Sequence, residues 1–145
     1  MPAITQALID GHARLRVKLD VRDSLRTALA TSGMSAPTPL EEEAMIDTGA
    51  SITCIDREVV QRLGLLPVTK EEVRTPNGPP AGEQWDVYYL SLRIENAAGD
   101  FWRPAIRAVE AAIAHTGVKV LLGSEALENC VFLYDRRGHV FSLEW

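Results

Sequence analysis

Between Met45-Ile46 and Ile52 the chain sets a carboxylate, two hydroxyls and a glycine, Asp47-Thr48-Gly49-Ala50-Ser51, into an otherwise apolar run. Apolar residues on both sides predict a strand that ends, turns sharply and restarts, and Gly49 supplies the backbone freedom for the turn. Asp47 then sits on a rigid loop at the edge of the core. An ionised carboxylate is costly there unless hydrogen bonds or a partner charge hold it, and Thr48, Ser51 and the amides of Gly49 and Ala50 are within reach. The plainer reading is that Asp47 makes the turn by bonding its own backbone. The Asp-Thr-Gly triplet alone does not separate the two, since residues this common meet by chance in roughly a few per cent of chains of this length.

The elements around the loop must hold it still. Upstream, Leu15, Val17, Leu19 and Val21 alternate with polar residues, and Asp10-Gly11 is a two-residue turn signal, so the opening segment predicts a β-hairpin. The alternation is lost after Val21, and Ser32 to Pro39, with Gly33, Pro37 and Pro39, predicts a surface excursion. Residues 22–39 therefore read as an insertion between two strands. Glu41 to Glu43 read as a solvated strand entry. Downstream, Val59, Val60 and Leu63 stand at helical spacing between the capping residue Asp56 and the terminators Gly64 and Pro67. Residues 70–94 predict a strand, a tight turn at Pro76-Asn77-Gly78 and a longer return strand with Val87, Tyr89, Leu92 and Ile94 apolar. A strand within residues 99–112, a short buried strand at Val118 to Gly123, one or two helical turns from Ser124 and a terminal hairpin turning at Arg136 to Gly138 complete a mainly β chain with short helices.

Composition bounds the partners. The 145 residues, 46% hydrophobic and 24% charged, suit one globular domain spanning 1–145 that buries a core without disulfide or metal staples, so Cys54 and Cys130 are expected as free thiols. The formal charge of −5, with no Lys/Arg stripe, argues against nucleic acid. No apolar run is long enough for a membrane span, and the expectation is a reducing, cytoplasmic location.

Apolar-apolar-Asp-Thr-Gly-Ala-Ser-apolar, the helix after it, the hairpin with a glycine at its tip and the late Leu121-Leu122-Gly123 ahead of a short helix together resemble the retroviral-type (retropepsin-like) aspartic proteases, closest to single-domain bacterial members. The resemblance runs from the first hairpin to the last strand, apart from residues 22–39, and implies a retropepsin-like acid protease barrel. It implies an aspartic endopeptidase acting on peptide or protein substrates, without metal or other cofactor. Asp47 becomes the catalytic residue, Thr48 the residue that bonds its twin across a two-fold axis, and Gly49 the point of close substrate approach. Ala50 completes the active-site loop, and Ser51 supports the carboxylate or binds substrate. Thr75, Pro76, Asn77 and Gly78 become the flap, and Leu121, Leu122 and Gly123 pack beneath the loop. Only one such triplet exists in the chain, so the site requires a homodimer. The alternative is an inactive relative kept as a peptide-binding or dimerisation module.

Departures from that pattern are concentrated at the edges of the site. Viral members often carry an acid at the position of Ser51 and an arginine at that of Ser124, an ion pair that serines cannot make, and cellular members more often carry Asp or Asn at the position of Glu125. Pro76, Pro79 and Pro80 remove backbone donors near the flap. His12, His115 and His139 lack partners at metal-ligand spacing, so no metal site is expected. Ser51 and Ser124 lie outside any Gly-x-Ser-x-Gly elbow. Cys54 is expected in the core rather than in a pocket wall. Of Trp85, Tyr88 and Tyr89, which could line a pocket, Tyr89 is expected to pack on the sheet. Trp145 suits either a packed or an exposed end.

Overall fold

The computed structural model describes residues 1–145. In chain order it holds β1 (Ala3–Ala7), β2 (Arg14–Val21), α1 (Asp23–Thr31), β3 (Leu40–Ile46), β4 (Thr53–Ile55), α2 (Arg57–Leu63), β5 (Thr69–Val73), β6 (Glu83–Ile94), β7 (Phe101–Glu110), β8 (Val120–Leu122), β9 (Val131–Asp135) and β10 (Val140–Glu144), with 3-10 turns at Ala114–Thr116 and Ser124–Leu127. Seven strands follow the order β2-β3-β8-β4-β7-β6-β5, and an added β2–β6 pairing closes the first six into a barrel. Closure removes the open edges of those six strands; β5 hangs outside the ring on β6 alone. β8 is apolar throughout, with Val120 and Leu122 buried in the barrel and Leu121 half-buried on the other face. It runs parallel to β3 and antiparallel to β4, between the two strands that flank Asp47.

The core follows the alternation of the strands. Leu15, Val17, Leu19 and Val21 of β2 all point inward and are buried, with Val120 and Leu122 of β8 beside them. Helix α2 forms where its caps stand: the Asp56 carboxylate accepts the Glu58 amide at 2.9 Å, and Gly64 ends the helix in the left-handed region at φ 60°. Its Val59, Val60 and Leu63 are buried against the barrel, contributing on the order of 1.5–3 kcal/mol each.

The opening hairpin is corrected. Asp10 and Gly11 do make a two-residue turn, with φ of 51° and 79° and reciprocal Ile9–His12 backbone bonds of 2.9 Å. The strands then part: β1 pairs with β10, and β2 with β3 and β6. Both flanks of β2 are needed to close the barrel, which leaves no place for β1. The second, three-stranded sheet has the order β1-β10-β9, so both chain ends are paired within one molecule. Trp145 is packed there, its ring centroid 5.7 Å from that of Phe101 in an edge-on arrangement and its Nε1 donating to the Gly99 carbonyl at 3.2 Å.

Residues 22–39 hold helix α1 where only irregular chain is expected. None of its residues is fully buried, and it has no side-chain N-cap. It is tied down by Arg26, which pairs with Asp20 and donates to the Pro37 carbonyl. Of Glu41 to Glu43, Glu41 is exposed as a solvated strand entry should be, while Glu42 and Glu43 are half-buried; each has a basic partner, Arg16 and Lys18 for Glu41, Arg62 for Glu42 and Arg14 for Glu43. In β6 Tyr88, Leu90, Leu92 and Ile94 share one face and are buried, and Tyr89, on the other face, is half-buried; the pairing irregularity between Leu90 and Leu92 places the extra residue in β7 and leaves this alternation intact.

Candidate active site

Asp47 follows β3 directly and is fixed through its main chain. Its amide donates to the Leu122 carbonyl at 3.0 Å, and the Ala50 amide returns to the Asp47 carbonyl at 3.2 Å. The far side of the loop is held by the segment after β8: the Ser124 and Glu125 amides donate to the Ala50 and Ser51 carbonyls at 2.9 and 3.0 Å. A side chain at Gly123 would lie 2.6 Å from the Ile52 carbonyl carbon and oxygen and from the Ser51 oxygen, so only glycine allows this contact. The Gly123 amide donates to the hydroxyl of buried Thr53 at 3.2 Å, which leaves neither group orphaned. Leu121, Leu122 and Gly123 thus lie against the loop. Thr53 was not singled out from the sequence, although a hydroxyl beside two apolar residues was the signal available.

The carboxylate has one bond within the chain, Oδ1 accepting the Gly49 amide at 3.1 Å. That is the turn-making bond of the plainer reading, and it leaves the other lone pairs without protein donors. The Ala50 amide bonds the main chain instead, and the Thr48 and Ser51 side chains, both exposed, make no hydrogen bond to Asp47.

Over this loop lies a cavity of about 520 Å³. Its floor is Asp47, Gly49, Ala50 and Ser51; its walls include Ile52, Cys54, Trp85, Arg107 and Val109. Its roof is the β5 arm with Thr75 and Pro76. The Gly78 amide donates to the Thr75 carbonyl at 3.1 Å, closing the tight turn expected at Pro76-Asn77-Gly78. Asn77 and Gly78 form its tip, away from the cavity lining, and Thr48 also lies outside it. The structure therefore brings together Asp47, Gly49, Ala50, Ser51, Thr75 and Pro76 and leaves Thr48, Asn77 and Gly78 apart.

Cys54 corrects an expectation: it is half-buried and lines the cavity, whereas its neighbours Thr53 and Ile55 point into the barrel. Burial pushes its thiol pKa up, and the nearby Asp47 charge adds to the rise. Of the three aromatics, Trp85 lines the cavity, Tyr88 is buried in the barrel and Tyr89 lies in a separate groove beside α1. Arg107, which sequence reasoning missed, stands in the cavity wall with its guanidinium held by Glu71 of β5 and both oxygens of Glu125. No group of three or more His, Cys, Asp or Glu residues is placed to hold a metal ion. No helix is long and apolar enough to cross a membrane.

The family model described as gag-polyprotein putative aspartyl protease matches residues 40–129, which include the Asp47 loop, the β5–β6 arm and Leu121 to Glu125. Among solved structures, a retropepsin-like aspartic protease from Rickettsia conorii is similar over 99% of this chain and 90% of its own, with a TM-score of 0.60 and 21% identity. The retroviral protease-like domain of Ddi1 from Leishmania major aligns over 86% of this chain and 83% of its own, at a TM-score of 0.41 and 12% identity. No curated protein sequence matches.

Proposed function

Because the chain belongs to the gag-polyprotein aspartyl protease family, which its Asp47 loop and closed barrel fit, we propose that it is an aspartic endopeptidase whose active site is completed by a second copy of itself. The observation that carries this reading is a carboxylate rigidly held from below and open above. Four backbone bonds and a glycine contact fix the Asp47 loop, yet the side chain has a single amide donor and faces a cavity with room for an extended peptide. One carboxylate alone cannot both activate water and protonate a substrate oxygen.

A two-fold axis beside the loop supplies the second Asp47. Two carboxylates about 3 Å apart cannot both ionise, so they hold one proton between them. The ionised member takes a proton from water, which attacks the scissile carbonyl. The protonated member donates to the carbonyl oxygen, and the amine leaves with a proton from the pair. Thr48, exposed beside Asp47, is positioned to meet the partner loop, and the Thr75–Gly78 turn closes over substrate and excludes water. Thr48, Gly49, Ala50 and Ser51 keep their assigned roles in this reading, with Leu121, Leu122 and Gly123 as the support.

Activity should appear at mildly acidic pH, where the shared proton is retained, on an unfolded protein substrate. It should fall at least about a hundredfold in Asp47→Asn; cleavage unchanged by this substitution would refute the reading. The second reading, a peptide-binding module without catalysis, draws on Pro76, Pro79 and Pro80 in the flap and on the turn-making bond of Asp47. Dimers that bind peptide and never cut it would favour it.

A further inference from the structure

We propose that Arg107 is a positioning residue that couples the flap to the floor of the cleft, an inference that rests on the protease reading for its kinetic consequence alone. β5, the arm that carries the flap turn, is an edge strand bonded only to β6. Of its ion pairs, Lys70 reaches Asp86 on β6 and Glu72 reaches Arg74 on the arm itself. Glu71 alone reaches past β6, to Arg107 on β7. The same guanidinium grips Glu125, with Nη2 donating to its two oxygens at 2.7 and 2.9 Å and Nε donating at 3.1 Å.

Glu125 is also the residue whose amide holds the Ser51 carbonyl at 3.0 Å. A continuous path therefore runs from the flap arm, through Glu71, Arg107 and Glu125, to the loop that carries Asp47. Each side chain is about a third to a half exposed, at 36%, 31% and 45%, so an isolated pair of this kind would contribute little. The geometry changes that estimate: one planar fork satisfies two carboxylates on separate elements at once, which orients both. A lysine cannot reproduce it, having neither the plane nor the second donor branch. Arg107 also stands in the cavity wall beside the peptide path, so flap closure and the seating of the loop respond to the same group. Loss of the tie leaves the arm held by β6 alone.

Amide hydrogen exchange on the full chain tests this without needing turnover. In Arg107→Gln, exchange should quicken about five- to tenfold both in residues 69–82 and at the Ser124 and Glu125 amides, while β2 and β3 stay unchanged. Glu71→Gln, which touches the flap end only, should quicken exchange at the Glu125 amide as well, and Arg107→Lys should restore protection only in part. Kinetically, Glu71→Gln should raise KM more than it lowers kcat, and Arg107→Gln should change both. The proposal is overturned if exchange rises on one side only, if it rises evenly across the barrel as a general loss of stability would cause, or if Arg107→Lys restores both regions fully. Should the unaltered protein cut no substrate, the protease reading fails while the exchange pattern still decides the coupling.

Discussion

A methyl group placed on Gly123 would lie 2.6 Å from backbone atoms of Ser51 and Ile52; placed on Gly78 it would meet chiefly the Thr75 hydroxyl, at 2.5 Å. The two numbers are nearly equal and the consequences are not. Under the Asp47 loop the neighbour is main chain already fixed by hydrogen bonds to β8 and to residues 124 and 125, and it has nowhere to go. At the flap turn the neighbour is the end of an exposed side chain that can rotate away. The floor is built by backbone contact and the roof by movable side chains. This division suits a site that must hold one reacting group still while a cover opens and closes above it.

The sharpest way to break the comparison is Asp47→Asn. An asparagine oxygen still accepts the Gly49 amide, so the loop should keep its shape and the melting temperature should stay close to that of the unaltered protein. Peptide cleavage should fall by about 10² to 10⁴-fold, the range typical of a positioned acid or base, as read by the release of new termini from an unfolded substrate. Gly123→Ala should act the opposite way, through the frame. Forcing main chain apart beneath the loop should cost about 1–3 kcal/mol or more in chemical denaturation, with activity lost alongside.

A smaller effect concerns Cys54, whose thiol is held in the neutral form by burial and then by the Asp47 charge. Removing that charge in Asp47→Asn lowers the thiol pKa and raises the thiolate fraction at a given pH. Alkylation of Cys54 at mildly alkaline pH should therefore be faster in Asp47→Asn, and equal rates would place the two groups out of electrostatic reach. Least of all, Gly78→Ala should shift stability by no more than about 0.5 kcal/mol, since only the Thr75 side chain must turn. A large loss there would mean that the flap is as rigid as the floor.

What could be seen in the sequence divides along similar lines. Helix α2 was legible because its start and stop are local: Asp56 and Gly64 act on amides and carbonyls a few residues away. The Asp47 loop was legible for the same reason, as was Leu121-Leu122-Gly123 once the resemblance placed it near the loop. The partner of β1 was not, because the turn at Asp10-Gly11 fixes a reversal but not which strand follows alongside; closure of the barrel decided that. Helix α1 was missed because it has no buried stripe to give a period. Cys54 was placed on the wrong face because Ile52 and Ile55 are both apolar at opposite parity. The tie was broken by Thr53, whose hydroxyl turns inward to receive the Gly123 amide. Arg107 gave no signal at all, since Glu71 and Glu125 stand 36 and 18 residues away in the chain.

The central claim is that each molecule holds half of a catalytic pair. Mixing unaltered chains with an equal amount of Asp47→Asn chains, after time for subunit exchange, tests it most directly. If both Asp47 carboxylates are needed in one site, only pairs of unaltered chains cut, and activity per unaltered chain should fall to about half of its value alone. Activity per unaltered chain that stays constant at every mixing ratio would mean that one Asp47 suffices, and the shared-site account would be wrong.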